Sequence, residues 1–268
     1  MTHTMIAFAG KGGSGKTTLA AMALRRLIRS GVRPILAVDA DPNATLGLTL
    51  GVEEGETIAD LRDRLGEAAQ AVNSIPKDRL MDQWLAELLV EEDGFDMITM
   101  GRPEGQKCYC YVNGLLRRYL SLLRTNYACV LVDCEAGMEY LSRLVIDDVQ
   151  ALVLVAEPTP VGMTTVKRIS RLADSLALKV HRRVLAINKV PPDGPALHGA
   201  ASPADLADVG PVVEVPFDSD ISGRCARGEP VDADAGDSAR PAVERLVALC
   251  LGAPAEEHAV TVQEEPMK

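Results

Sequence analysis

Short apolar runs recur along the chain, with helical patterns between them. The runs at residues 4–9, 34–39, 96–100, 129–133, 152–156, 184–188 and 212–215 are mostly continuous rather than alternating with polar positions. Runs of that length and composition predict strands buried on both faces, as in a parallel sheet. Residues 16–30, 113–124, 164–177 and 241–251 predict helices. The first is followed by Gly31, suited to the left-handed residue beyond a helix end, and the second carries Leu116, Tyr119, Leu120 and Leu123 at helical spacing. The alternation predicts an α/β fold: a doubly wound, mainly parallel sheet with helices on both faces and sites at the carboxyl ends of its strands. No internal repeat interrupts it. Residues 1–251 are expected to form one domain, with a surface insertion at 191–210 and an acidic, flexible tail at 252–268.

Composition narrows the picture. Hydrophobic residues are 47% of the chain but aromatics only 3%, so the core is expected to be aliphatic. The net charge of −10 argues against nucleic-acid binding through phosphate neutralisation. Arg25, Arg26 and Arg29 read as a solvated helical face rather than a basic patch. No apolar run approaches the roughly 20 residues of a membrane span, and the run at residues 5–9 is too short for a leader, so a cytoplasmic protein without a membrane partner is expected. In that compartment the six cysteines (Cys108, Cys110, Cys129, Cys134, Cys225 and Cys250) point to metal binding or burial rather than structural disulfides.

"GKGGSGKTT", Gly10 to Thr18, fits G-x-x-x-x-G-K-[ST] between a predicted strand and a predicted helix. Gly12, Gly13 and Gly15 let the backbone curl, and the amides from Gly12 through Ser14 to Thr18 then cradle phosphate oxygens at a helix N-terminus. Lys16 is expected to reach the β- and γ-phosphates, and the Thr17 hydroxyl to bind Mg²⁺. "AVDADPN" ends the second strand. Asp39 and Asp41 project to one side if that strand persists, toward Mg²⁺ and the attacking water; the alternative is that one of them caps the turn before Pro42. In "CVLVDCEAG", Asp133 closes an apolar strand as a Walker B carboxylate for Mg²⁺, and the Gly137 N–H is placed to sense a γ-phosphate. In "INKV", Asn188 offers both a donor and an acceptor for an adenine edge, or else holds a turn.

With Lys11, the loop reads Gly-Lys-Gly-Gly-x-Gly-Lys-Thr-Thr. It resembles the deviant Walker A loop of the family that includes MinD, ParA, the nitrogenase iron protein and metal-insertion ATPases. The resemblance implies an Mg²⁺-dependent ATPase that binds ATP and ADP. It implies a homodimer closing over two nucleotides, with Lys11 crossing to the partner's nucleotide. It also makes Asp41 the residue that orients or activates water, Asp39 part of the Mg²⁺ shell, and Asn188 an adenine contact. "VPFDSD", which contains Pro216, resembles the loop flanking the base.

Cys108 and Cys110, in "GQKCYCYVNG", are one residue apart. In extended backbone both point the same way, and a twofold dimer would bring four sulfurs to one axis, enough for a closed tetrahedral site. Inert burial, a redox dithiol and an iron–sulfur cluster are the alternatives. Tyr140, where the nitrogenase iron protein has its second cysteine ligand, counts against a cluster of that design. "KGGSGKTT", "VDADPN", "CYC" and "EAGMEYLSR", in that order, resemble the CooC-type ATPases. That resemblance implies nickel or zinc at the cysteine pair and an apo carbon monoxide dehydrogenase as client. The competing reading is a ParA- or MinD-like positioning ATPase.

Overall fold

The computed structural model describes residues 3–53, 55–71, 87–102, 109–136, 148–176, 178–192, 209–232 and 234–254. The apolar runs form β1 (Thr4–Gly10), β2 (Ile35–Ala40), β4 (Phe95–Thr99), β5 (Cys129–Cys134), β7 (Ala151–Ala156), β9 (Arg183–Val190) and β10 (Val212–Pro216), joined by the short strand β3 (Val90–Glu92) in one eight-stranded sheet. Its order is β10-β9-β7-β1-β5-β2-β4-β3, and every pairing is parallel except β3 with β4. Two residue pairs, β6 (Asp148–Val149) and β8 (Lys179–Val180), add a small parallel ladder. The sequence pattern missed β3, β6 and β8, which are too short to show a period.

The helices are α1 (Lys16–Arg29), α2 (Thr45–Leu50), α3 (Ile58–Ala71), α4 (Tyr109–Leu123), α5 (Pro160–Ser175), α6 (Ser219–Arg227) and α7 (Arg240–Leu251). Successive side chains of the central parallel strands divide between two cores. Met5, Ala7 and Ala9 pack with Val112, Leu116, Met163 and Val166 of α4 and α5 on one face. Ile6 and Phe8 pack with Leu19, Leu24 and Leu27 of α1 and Leu246 of α7 on the other. Each such leucine, fully withdrawn from water, contributes roughly 1.5–3 kcal/mol. This double burial is why the strands read as unbroken apolar runs.

Two helix starts differ from expectation. α5 begins at Pro160 rather than 164, because the Thr159 side chain caps it by accepting from the Gly162 N–H at 3.0 Å. α4 begins at Tyr109 rather than 113, so Cys110 lies in its first turn and not in extended backbone. Cys110 is therefore not aligned by the alternation of a strand, contrary to expectation. Cys108, Gly137, Tyr140 and most of the 191–210 and 252–268 segments lie outside the described residues. The α1 arginines do more than face solvent: Arg25 donates to the Leu50 carbonyl at 2.7 Å, Arg26 pairs with Glu244 at 3.6 Å, and Arg29 pairs with Asp234. Among the described residues no helix is long and apolar enough to cross a membrane.

Candidate nucleotide site

The carboxyl ends of β1, β2, β5, β7, β9 and β10 deliver Gly10, Asp39, Asp133, Glu157, Asn188 and Pro216 to one edge of the sheet. β1 is central and flows directly into the glycine loop. Gly10 is required there, since a Cβ would sit 2.2 Å from the Val155 carbonyl oxygen on β7. Gly15 has φ +90, and its Cβ would meet Asn188 Nδ2 at 2.2 Å. It is the N-cap of α1 and provides no side-chain cap, while the first turn holds no acidic residue. The first amides of α1 are thereby left for an external anion, with the helix dipole in support.

Inside the loop, the Lys11 carbonyl accepts from the Ser14 N–H at 3.2 Å, from Ser14 Oγ at 2.8 Å and from Lys16 Nζ at 3.4 Å. Lys16 is buried; the Lys11 side chain is exposed. Gly12 lies against Ala136, the last described residue before Gly137: its Cβ would stand 3.6 Å from that of Ala136.

The carboxylates sit on neighbouring strands. Asp39 and Asp133 are register partners in the β2–β5 pairing, and both are fully buried. Thr17 Oγ1 donates to Asp133 Oδ2 at 2.6 Å, whereas Asp133 Oδ1 is buried with no hydrogen-bond partner. Burial pushes Asp133 up to about 6, against the opposing pull of the Thr17 hydrogen bond and the Lys16 charge. Burial, and after it the charge of Asp133, pushes Asp39 up to about 7. β2 does not persist to Asp41. Asp39 instead caps the loop that follows, accepting from the Asp41 N–H at 3.1 Å and the Leu46 N–H at 2.7 Å. Asp41 itself accepts from the backbone and side-chain nitrogens of Asn43 at 2.9 and 2.8 Å. An orphaned carboxylate oxygen, a second carboxylate and a threonine hydroxyl form a hard-oxygen donor set that fits Mg²⁺.

Beside the loop, a cavity of about 400 Å³ is lined by Thr18, Asn188, Pro216, Phe217, Asp218 and Cys225, among others. The two residues expected at a base thus border one space next to the phosphate loop. Asn188 is buried and donates through Nδ2 to the Ser14 carbonyl at 2.9 Å. Lys189 Nζ donates to the Gly13 carbonyl at 2.7 Å and to Glu157 Oε1 at 2.8 Å. Phe217 falls in the "VPFDSD" segment expected to flank the base, whereas Glu157 had no expected part; its one signal was its position just beyond an apolar run. Cys129, Cys134 and Cys250 are buried, and Cys225 is exposed. Burial pushes the Cys134 thiol far up, as for an inert core residue. No metal-binding cluster of His, Cys, Asp or Glu occurs among the described residues.

A phosphate-cradling loop, a buried acidic pair beside it and a base-sized cavity define a P-loop nucleotide-binding domain. Residues 5–231 match the CobQ/CobB/MinD/ParA nucleotide binding domain, and the chain belongs to that family. It is 38% identical over 193 residues to an uncharacterized ATP-binding protein of Methanocaldococcus jannaschii, covering 70% of this chain and 76% of that protein. It is 32% identical over 228 residues to the carbon monoxide dehydrogenase accessory protein CooC of Rhodospirillum rubrum, covering 81% of this chain and 84% of that protein. The fold resembles a chain of the Aquifex aeolicus MinC:MinD cell division protein complex, with a TM-score of 0.68 at 19% identity over 99% of this chain and 98% of that one. It also resembles Pyrococcus horikoshii MinD complexed with Mg-ADP, with a TM-score of 0.65 at 21% identity over 92% and 95% of the two chains.

Proposed function

We propose that this protein is an ATP-hydrolysing metallochaperone that carries nickel, with zinc as a substitute in vitro, toward an apo carbon monoxide dehydrogenase. The observation that carries the reading is the similarity to CooC over most of both chains, joined to a Cys-x-Cys pair at Cys108 and Cys110. In this reading the functional unit is residues 1–251, working as a cytoplasmic homodimer with no nucleic-acid or membrane partner.

The nucleotide side follows from the loop. The amides from Gly12 to Thr18 and the Lys16 ammonium hold the phosphates. Asn188 and Pro216 flank the base, and the Gly137 N–H reports the γ-phosphate. Thr17, Asp133 and Asp39 would hold Mg²⁺, which neutralises phosphate charge when bound. Asp41 orients the attacking water. Lys11, exposed on the loop, reaches the partner's nucleotide and ties dimer closure to ATP. Closure brings the two cysteine pairs together, four thiolates for one ion, and hydrolysis releases it. Thiolates accept nickel and zinc alike, so the cargo is set by supply and client.

The test is the mass and metal content of the protein with Ni²⁺ or Zn²⁺, with and without ATP. One ion per two chains is expected, and none for the Cys108→Ser/Cys110→Ser protein. Equal metal binding by that variant would refute the site. A positioning ATPase is the second reading, favoured by 23% identity to the septum site-determining protein MinD of a Synechocystis species over 86% of this chain. It predicts nucleotide-dependent, salt-sensitive binding to DNA or lipid vesicles and no metal.

A further inference from the structure

β9 and β10 fall out of register at their carboxyl ends: Val215 pairs with Asn188, but Pro216 pairs with Val190. Lys189 is the extra residue of this bulge, and its φ is +61. A residue with a Cβ adopts that conformation only at a cost, and such strain collects where it re-aims a functional side chain. Here the bulge sends Nζ to the Gly13 carbonyl at 2.7 Å, with Glu157 Oε1 behind it at 2.8 Å. The preceding residue, Asn188, holds the next carbonyl of the loop, that of Ser14, at 2.9 Å. Two successive residues of β9 therefore grip two successive peptides of the phosphate loop.

The consequence follows from peptide planarity. In a trans peptide the N–H points away from the C=O, so fixing one fixes the other. Holding the Gly13 carbonyl sets the Ser14 N–H, which closes the turn onto the Lys11 carbonyl at 3.2 Å. That same carbonyl receives Lys16 Nζ at 3.4 Å. The clamp thus reaches both lysines of the loop without touching phosphate itself. Glu157 neutralises the ammonium, which keeps Lys189 on the carbonyl rather than drawing it to a bound anion.

We infer that Lys189, backed by Glu157, is a positioning residue for the phosphate loop, acting through the Gly13 carbonyl on the turn that presents Lys11 and Lys16; this rests on the nucleotide reading of the site. Both side chains of the pair are more than two-fifths exposed, so replacing them leaves the two cores intact.

The experiment measures fluorescent ADP binding, steady-state ATP hydrolysis and unfolding midpoints for wild type, Lys189→Met, Lys189→Arg and Glu157→Gln. Loss of one charge-assisted hydrogen bond predicts roughly tenfold weaker ADP binding and a similar drop in kcat for Lys189→Met, and about a threefold loss for Glu157→Gln. Lys189→Arg, which restores a long cationic donor, is expected to recover most of the loss. The ³¹P resonance of the bound ADP β-phosphate should move in Lys189→Met and return in Lys189→Arg. Wild-type affinity and kcat in Lys189→Met overturn the inference, as does an equal loss in Lys189→Met and Lys189→Arg. If wild type binds no nucleotide, the nucleotide reading itself fails, a result distinct from a clamp that binds and has no effect.

Discussion

Raising the pH is expected to destabilise the nucleotide-free protein through Asp39. Its folded value of about 7 stands well above the ordinary 3.8, because burial, and then the facing Asp133, disfavour the carboxylate. Across that window the folded state holds a proton that the unfolded chain has released. Stability from this group is therefore complete below the unfolded value and is lost as pH rises through the folded one. Between about pH 5 and about pH 8 the integrated loss is on the order of 2–3 kcal/mol. Many other carboxylates titrate too, so the informative quantity is the difference between wild type and Asp39→Asn, measured by urea unfolding at each pH. Asparagine cannot accept from both the Asp41 and Leu46 N–H groups as the carboxylate does, but that cost does not depend on pH and drops out of the slope. The wild type should weaken relative to the variant as pH rises. Mg²⁺ with ADP should flatten or reverse the trend, because a cation favours the ionised carboxylates. A difference that stays flat across the window, or that rises with pH in the absence of Mg²⁺, would rule out a proton held on Asp39 in the folded state.

Gly15→Ala should destabilise by about 2 kcal/mol and abolish tight nucleotide binding, since a left-handed φ and a 2.2 Å approach to Asn188 both oppose a Cβ; denaturant unfolding and ADP titration read the two effects. Asp41→Asn should retain ATP binding while single-turnover hydrolysis slows by roughly 10²-fold or more, if the part proposed for the residue, to orient or activate water, is its own; unchanged turnover would remove it from that role.

The strands, the phosphate loop and the candidate carboxylates were legible in the chain itself. Continuous apolar runs mark doubly buried strands, and the loop's glycines and lysines need only local spacing to be read. α4 was legible as a helix but not in its first turn, because residues 109–112 lack a distinctive apolar period. Whether β2 persisted to Asp41 or an aspartate capped the turn before Pro42 was left open by the chain; the capping of the Asp41 and Leu46 amides by Asp39 turns the backbone away, a choice made by a buried acceptor and not by propensity. Local sequence thus determined the family of site and marked the candidate side chains for phosphate and Mg²⁺. Only the tertiary structure set Asp39 beside Asp133, left Asp133 Oδ1 without a partner, and brought Asn188 and Lys189 onto carbonyls about 175 residues away in the chain. Those relations depend on strand order and on a register slip, and neither is encoded in the residues next to them.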